Sequence, residues 1–469
     1  MPSCAVAGTM DSSLDTLMRH FRNSLSLWIF LGTCVPLLAQ TNSTVFIHVN
    51  LVPMSGEHVI RGQSVLIEGD TIKDVSGSLA VPAGAKVIDG HGTAYLSPGL
   101  ADMHTHSDTR EDLAVYLANG VTTILNMGDA KNGFVARTVP AVNRGDIPGP
   151  QIYMSFLVDG TPQYGNFVVT TADEARSLVR LAKTNGYNFI KVYNNLSPEC
   201  FYALIDEGRI QHIPIIGHGV TQVGLERQLA AGQLLVAHTE EFLYTTFAKP
   251  GSDQNEAAPS MDQIPAAIAF LKRDGAFVTA DLNTYMTIAR QWGKPAVVEE
   301  FMRRPEVRYL APQNRIGWRA SRYASRKGDL SDRVSFLSAF TKALSDAGVP
   351  LVAGTDAPPI PGLVPGFSLH QNLHVLELAG LTPYQTLSTA TRSPGEFIAR
   401  AIPGSKPFGT IMVGGRADLI LSANNPLEDL STLEKPLGVM AHGRWYAASD
   451  LQSLLQGVAQ TYDQAMLPH

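Results

Sequence analysis

The chain has 469 residues, enough for one large α/β barrel with a smaller unit or for two to three ordinary domains. Hydrophobic residues make up 45% of it and charged residues 17%, as is typical of a globular protein with a substantial core. The net charge of −6 gives no basis for a nucleic-acid partner, and we expect none.

The N-terminus has the pattern of a secretory signal. A short basic segment, 18–22, precedes a mostly apolar run, 25–38, and small Ala39 follows. We therefore interpret residues 1–39 as a signal peptide and expect export to the periplasm or secretion. The alternative is an uncleaved membrane anchor, although the run is shorter than the ~20 residues that a spanning helix needs. After cleavage we expect no stable membrane span, and Cys200 would be the only cysteine, which leaves no intrachain disulfide.

Both ends of the remaining chain are rich in short β-strands. Residues 40–97 alternate apolar and polar side chains, with a predicted hairpin turn at Glu68, Gly69 and Asp70. Residues 403–447 repeat this texture, and 448–469 are left as a C-terminal tail. We therefore expect a small β-sandwich domain assembled from both chain ends.

The middle of the chain, 98–402, alternates apolar strands with helical stretches, a pattern that favours parallel βαβ units. Eight strands are predicted, at 100–104, 122–127, 151–156, 189–193, 214–218, 234–238, 276–281 and 350–355. Predicted helices between them include 172–184 and 335–346. The fold class is α/β, and a closed (β/α)8 TIM barrel is the economical interpretation. The alternative is an open doubly wound sheet, but the sequence has no glycine-rich phosphate loop of the dinucleotide-binding type to support it.

Side chains that can bind metal stand at the carboxyl ends of five predicted strands. Two histidines in alternate positions follow the first strand, so both can face one ion. The full set is His104, His106, Lys191, His218, His238 and Asp356. Barrel enzymes place catalysis at this face because the βα loops converge there. Each residue alone could be structural, but six such residues in register predict a site.

The spacing of these residues supports the barrel. His106 to Lys191 fits three βα units of roughly 30 residues, and His218 and His238 follow one unit apart. The interval from His238 to Asp356 is about twice what two units of that length require. We therefore expect an insertion, and the Trp- and Arg-rich segment 285–330 is the candidate for a lid over the site.

From residue 65 to residue 421 the sequence resembles the amidohydrolase superfamily of metal-dependent hydrolases. The motifs are Val-Leu-Ile-Glu-Gly-Asp-Thr-Ile at 65–72, Pro-Gly-Leu-Ala-Asp-Met-His-Thr-His at 98–106 and Ala-Asp-Leu-Ile-Leu at 417–421. The resemblance is to the branch that includes imidazolonepropionase-like enzymes and Xaa-Pro dipeptidases. Within it, Lys191 favours the binuclear, dipeptidase-like members, since imidazolonepropionase itself and cytosine deaminase-like members resemble mononuclear sites without a bridging lysine.

The resemblance implies two divalent metal ions, and zinc is the ion that we expect. His104 and His106 would bind the more buried ion, and His218 and His238 the more exposed one. Lys191, carboxylated by carbon dioxide, would bridge the ions as a carbamate. Asp356 would bind the buried ion and shuttle a proton from a metal-bridging hydroxide to the leaving nitrogen.

One catalytic assignment stays open on the residues alone. Tyr193 stands two positions after Lys191 and faces the same way, so it could hydrogen-bond the substrate carbonyl or the tetrahedral intermediate. It could equally be a packing residue of the barrel rim. Glu240 and Glu241 follow His238 closely and could either orient a ligand or exclude substrates.

The leading functional hypothesis is an exported binuclear amidohydrolase that cleaves a dipeptide or an N-acyl amino acid. A second hypothesis uses the same site on a cyclic or xenobiotic amide or ester, such as a lactam or lactone. A third is a non-catalytic binding protein on a retained barrel, which the complete ligand set disfavours. We expect a small-molecule or dipeptide substrate and a homo-oligomer.

Overall fold

A computed structural model describes residues 43–164, 167–247 and 258–465 of the chain. The predicted signal peptide, 1–39, lies outside these residues. Among the residues described, no helix combines the length and hydropathy needed to cross a bilayer.

A small sheet takes strands from both ends of the chain. Its strands are β1 (Ser43–Leu51), β2 (Ile60–Glu68), β3 (Thr71–Ser76), β4 (Lys86–Asp89), β5 (Tyr95–Pro98), β15 (Leu419–Ser422), β16 (Gly438–Ala441) and β17 (Arg444–Ala447). Their order is β17-β16-β15-β5-β1-β2-β3, and β4 pairs with β1. The predicted turn joins β2 to β3.

The two chain ends meet where β5 pairs antiparallel with β15, with Ser97 opposite Ile420. Apolar side chains from both ends, among them Phe46, Leu96 and Leu419, share one buried core. The expected β unit built from both termini is therefore confirmed as part of the fold class.

A second sheet is parallel and forms the barrel. Its strands are β6 (Leu100–Thr105), β7 (Val121–Asn126), β8 (Gln151–Asp159), β10 (Phe189–Val192), β11 (Ile215–Gly217), β12 (Leu235–Val236), β13 (Phe277–Ala280) and β14 (Leu351–Ala353), and the short β9 (Phe167–Val168) pairs with β8. They run in chain order from β6 to β14. A parallel bridge between Thr105 and Ala357 joins the first strand to the segment that follows the last one. The expected (β/α)8 barrel is confirmed, and the open doubly wound alternative is wrong.

Helices lie between the barrel strands and after the last of them. They are α1 (Arg110–Ala118), α2 (Val139–Asn143), α3 (Ala172–Thr184), α4 (Pro198–Gln211), α5 (Leu225–Ala231), α6 (Glu241–Thr245), α7 (Ile264–Asp274), α8 (Leu282–Gln291), α9 (Pro295–Met302), α10 (Pro312–Arg319), α11 (Ser331–Asp346), α12 (Phe367–Leu378), α13 (Pro383–Thr389), α14 (Arg392–Ala401) and α15 (Ala448–Ala465). Helix α3 begins as predicted because Thr171 and Glu174 form a capping box. The segment assigned to a C-terminal tail is helical over α15.

The predicted insertion carries α9 and α10 and packs next to the loop that follows β14. Trp318 is fully buried, and its indole Nε1 donates to the carbonyl oxygen of Pro358 at 2.8 Å. Phe301 lies beside Gly362, where an added Cβ would approach its ring to 2.9 Å. The insertion therefore fixes the loop that begins with Asp356.

Candidate active site

The six predicted ligands converge at the carboxyl ends of the barrel strands. His104 lies on β6 and Lys191 on β10, whereas His218, His238 and Asp356 follow β11, β12 and β14 closely. The His238 ring lies between two others, with centroids 4.2 Å from that of His104 and 5.1 Å from that of His218. The structure therefore brings together all the side chains that the sequence singled out.

One group of donors surrounds the Asp356 carboxylate. Its Oδ1 lies 3.1 Å from Nε2 of His106 and 3.4 Å from Nε2 of His104. Lys191 Nζ lies 3.2 Å from the same His104 nitrogen. This close approach of β14 to β6 requires Gly354, because a Cβ there would lie 2.7 Å from that of His104.

Three histidines have their Nδ1 atoms engaged away from the centre. His106 Nδ1 donates to the carbonyl oxygen of Gly128 at 3.2 Å, since a carbonyl can only accept. His218 Nδ1 contacts Glu241 at 2.7 Å, and His238 Nδ1 contacts Asp281. Buried carboxylates in this position fix the tautomer and the ring orientation of metal-binding histidines. Nε2 is thereby left available as a ligand on all three rings.

Asp281 and Glu241 contact the predicted ligands, a role that the sequence analysis did not assign to them. Both carboxylates are buried, with 1% and 2% of their surface exposed. Asp281 ends a predicted strand just as the chosen ligands do, so the same signal could have identified it. Glu241 follows His238, but only the fold shows that it serves His218 instead, while Asn194 donates to its other oxygen at 3.1 Å.

The donor set fits divalent metal ions. Imidazole nitrogens and carboxylate oxygens are the ligands that zinc and similar ions prefer. Among the described residues, two groups place ligand atoms within 4.8 Å of one another: His104, His106 and Asp356, and His104, His238 and Asp281. The buried Nδ1 of His104 also has no hydrogen-bond partner in the described part of the chain. In the second group the carboxylate beside His238 is that of Asp281, whereas the resemblance implied that His218 and His238 bind one ion together.

Burial and neighbouring charges shape the protonation of the site. Burial lowers the pKa of Lys191 to about 8. Burial, and then the nearby Lys191 charge, hold the pKa values of His104 and His218 well below their usual range. Burial lowers the pKa of His238, but the Asp281 carboxylate outweighs it and raises the value to about 9. His104 and His218 are therefore neutral at physiological pH, whereas His238 is protonated there and must release its Nε2 proton to bind an ion.

Two of the predicted ligands have strained backbones. His238 has φ 72° and Asp356 has φ 57°, both in the left-handed region that non-glycine residues rarely adopt. Such strain persists only where the surrounding structure holds it, and it concentrates at functional sites.

Tyr193 lies at the site as predicted. Its ring centroid is 3.9 Å from that of His218, and Lys191 Nζ lies 5.8 Å from the ring centre. Burial raises the pKa of Tyr193 far above its usual value, so the hydroxyl stays protonated and can donate a hydrogen bond. The geometry accommodates both the packing role and the hydrogen-bonding role.

The profile described as the amidohydrolase family matches residues 95–446, three quarters of the chain. No curated protein matches the sequence.

Three solved structures are similar in fold. A bottromycin amidohydrolase is 22% identical, with a TM-score of 0.70 over 90% of this chain and 90% of its own. A Xaa-Pro dipeptidase with methionine bound in its active site is 19% identical, with a TM-score of 0.61 over 87% and 100%. An A. niger ochratoxinase is 19% identical, with a TM-score of 0.60 over 87% and 96%. The chain belongs to the amidohydrolase family, and the expectation of a hydrolase that acts on amide-type bonds is confirmed at this level.

Proposed function

We propose that this protein is a binuclear metal-dependent amidohydrolase that cleaves the amide bond of a dipeptide or an N-acyl amino acid. The observation that carries the proposal is the set of six ligand side chains, four of them buried, in which two histidines are each held by a buried carboxylate. A scaffold without catalysis would have no need to keep such groups buried together, because burying polar and charged groups is costly.

His104, His106 and Asp356 would hold one divalent ion, and His218 and His238 the other, with the Lys191 side chain between them as a carbamate. Bound there, the ions would polarise the scissile carbonyl and activate a water molecule. Lys191 is suited to this position because it is buried and its Nζ lies 3.2 Å from a ligand histidine.

Asp356 is the general base and then the general acid of the proposed reaction. Its Oδ1 stands between the His104 and His106 rings, at the centre of the ligand group. It takes a proton from the attacking water as the new C–O bond forms and gives that proton to the leaving nitrogen as the C–N bond breaks. The protonated hydroxyl of Tyr193 donates to the oxygen of the carbonyl under attack.

The decisive experiment compares purified protein with its Asp356→Asn variant. We expect about two transition-metal ions per chain by elemental analysis, and hydrolysis of dipeptides or N-acyl amino acids that a chelator removes. The variant should lose at least roughly 10²-fold in kcat while keeping its melting temperature. Asp206→Asn, which removes an exposed carboxylate on α4, is the matched control and should behave as the unaltered protein.

Two results would contradict the proposal. Full activity in Asp356→Asn would show that Asp356 is not the general base and acid. If the protein binds fewer than two ions and its activity does not respond to added metal and bicarbonate, Lys191 is not a bridging ligand. Lactams, lactones and xenobiotic amides belong in the same panel, since hydrolysis confined to them would favour the second hypothesis.

Export is a separate proposal that rests on the basic and apolar pattern of residues 18–39. Expression of the full chain in a bacterial host, followed by N-terminal sequencing of periplasmic protein, tests it. Cleavage after Ala39 supports export, whereas an uncleaved chain that remains in the cytoplasm contradicts it.

A further inference from the structure

Three tyrosines line the mouth of the site and form what we call the tyrosine rim: Tyr164, Tyr193 and Tyr323. Tyr193 stacks between two partners. His218 lies on it at a centroid distance of 3.9 Å, and Tyr164 is 4.7 Å away with the ring planes 23° apart. A continuous aromatic column therefore rises from a predicted metal ligand towards solvent. Tyr164, at its outer end, is 48% exposed.

The loop that carries Tyr164 is anchored at its start. The Asp159 carboxylate accepts hydrogen bonds from the backbone N and the side-chain amide of Asn195, both at 2.8 Å. Gly160 lies against the same residue so closely that a Cβ would be 2.1 Å from the Asn195 carbonyl oxygen. Beyond the tyrosine, Phe167 stacks on Phe156 at 4.3 Å. An exposed ring on an anchored loop is a preorganised contact surface.

Tyr323 is the third residue of the rim and comes from the insertion. Its ring centroid lies 6.2 Å from that of Trp292. Burial, and then the negative charges of Asp356 and Glu240, raise the pKa of Tyr323. Through Tyr193, whose ring centroid lies 3.9 Å from that of His218, the rim borders the space proposed for the scissile amide.

We propose that the tyrosine rim makes this enzyme select substrates with an aromatic ring beside the scissile amide, and that Tyr164 is the residue that stacks on that ring. The proposal rests on the proposed amide hydrolysis and adds the substrate class. An aromatic ring gains more binding free energy on such a surface than a saturated ring of the same size. Offset-stacked aromatic pairs attract each other beyond what their buried area accounts for.

The test uses pairs of substrates that differ only in ring saturation. N-acetyl-L-phenylalanine is paired with N-acetyl-L-cyclohexylalanine, and N-benzoylglycine with N-cyclohexanecarbonylglycine. In at least one pair we expect kcat/KM of the metal-loaded enzyme to favour the aromatic member by about two- to tenfold. Tyr164→Ala should bring this ratio to near one, and Tyr164→Phe should keep it. Tyr202→Ala, which removes a tyrosine that is 41% exposed on α4, should leave it unchanged.

A binding measurement separates failure of this inference from failure of the proposed function. Calorimetric titration of the same compounds into Asp356→Asn protein reports ring preference without turnover. Preferential aromatic binding that is lost in the double variant with Tyr164→Ala supports the inference even if no compound is cleaved. Equal affinities within each pair, no binding at all, or a preference that survives Tyr164→Ala would overturn it.

Discussion

Replacing Asp281 tests the carboxylate–histidine pairs most directly. Asp281 is 1% exposed and its Oδ2 contacts Nδ1 of His238, which is itself 5% exposed. The carboxylate holds the imidazole with its proton on Nδ1, so that Nε2 presents its lone pair to the ion. Asp281→Ala removes that partner and leaves a buried ring nitrogen without an acceptor.

We expect metal affinity to fall about ten- to hundredfold in Asp281→Ala, as is typical for loss of the group that supports a ligand histidine. That range corresponds to about 1.4–2.7 kcal/mol of binding free energy. The loss of affinity in Asp281→Asn should be about tenfold, because the amide oxygen can still accept a hydrogen bond from Nδ1 although the negative charge is gone.

The assay is competition between apoprotein and a chromophoric chelator for zinc, with unfolding of the apoprotein followed in parallel. Glu207→Gln is the matched control. It alters a buried carboxylate that pairs with Arg180 at 2.9 Å on the outer helices, so it should change stability without changing metal affinity. Unchanged zinc affinity in both Asp281 variants would refute the reasoning.

Three further predictions concern other parts of the chain. Incubation with ¹³C-bicarbonate should give a carbamate carbon signal that Lys191→Ala abolishes, and a signal that persists in the variant would assign it to another amine. Trp318→Phe removes the donor to the Pro358 carbonyl and should lower the free energy of unfolding by roughly 1–3 kcal/mol, measured by denaturant titration; an unchanged value would mean that water replaces the indole. Burial raises the pKa of Asp70, but the hydrogen bond and charge of Lys406 lower it below its usual value of 3.8. The stabilisation by this partly exposed pair is therefore present above pH 3.8 and is lost as the pH falls through the depressed pKa, so Lys406→Met should cost at most about 1 kcal/mol at pH 7 and nothing in strong acid. If Lys406→Met still lowered the free energy of unfolding in strong acid, the stabilisation would not come from the ion pair.

The sequence by itself determined the architecture and the predicted ligands. Strand periodicity, the helical stretches and the spacing of polar residues are local signals, and they located all eight barrel strands. Parallel strands that close a barrel end at one face, so His104, His106, Lys191, His218, His238 and Asp356 could be grouped without coordinates. Helix α3 has the predicted bounds, and its capping box is formed by residues that are close in sequence.

Only the tertiary structure decided which groups support those ligands and what borders the site. Glu241 lies near His238 in sequence but contacts His218, and Asp281 reaches His238 from the next strand. Tyr164 and Tyr323 come from loops far apart in the chain. Such contacts depend on how strands and loops are placed around the barrel, and no local periodicity encodes that placement. The residue types of the site can therefore be identified from the sequence, whereas the orientation of its histidines depends on packing between residues distant in the chain.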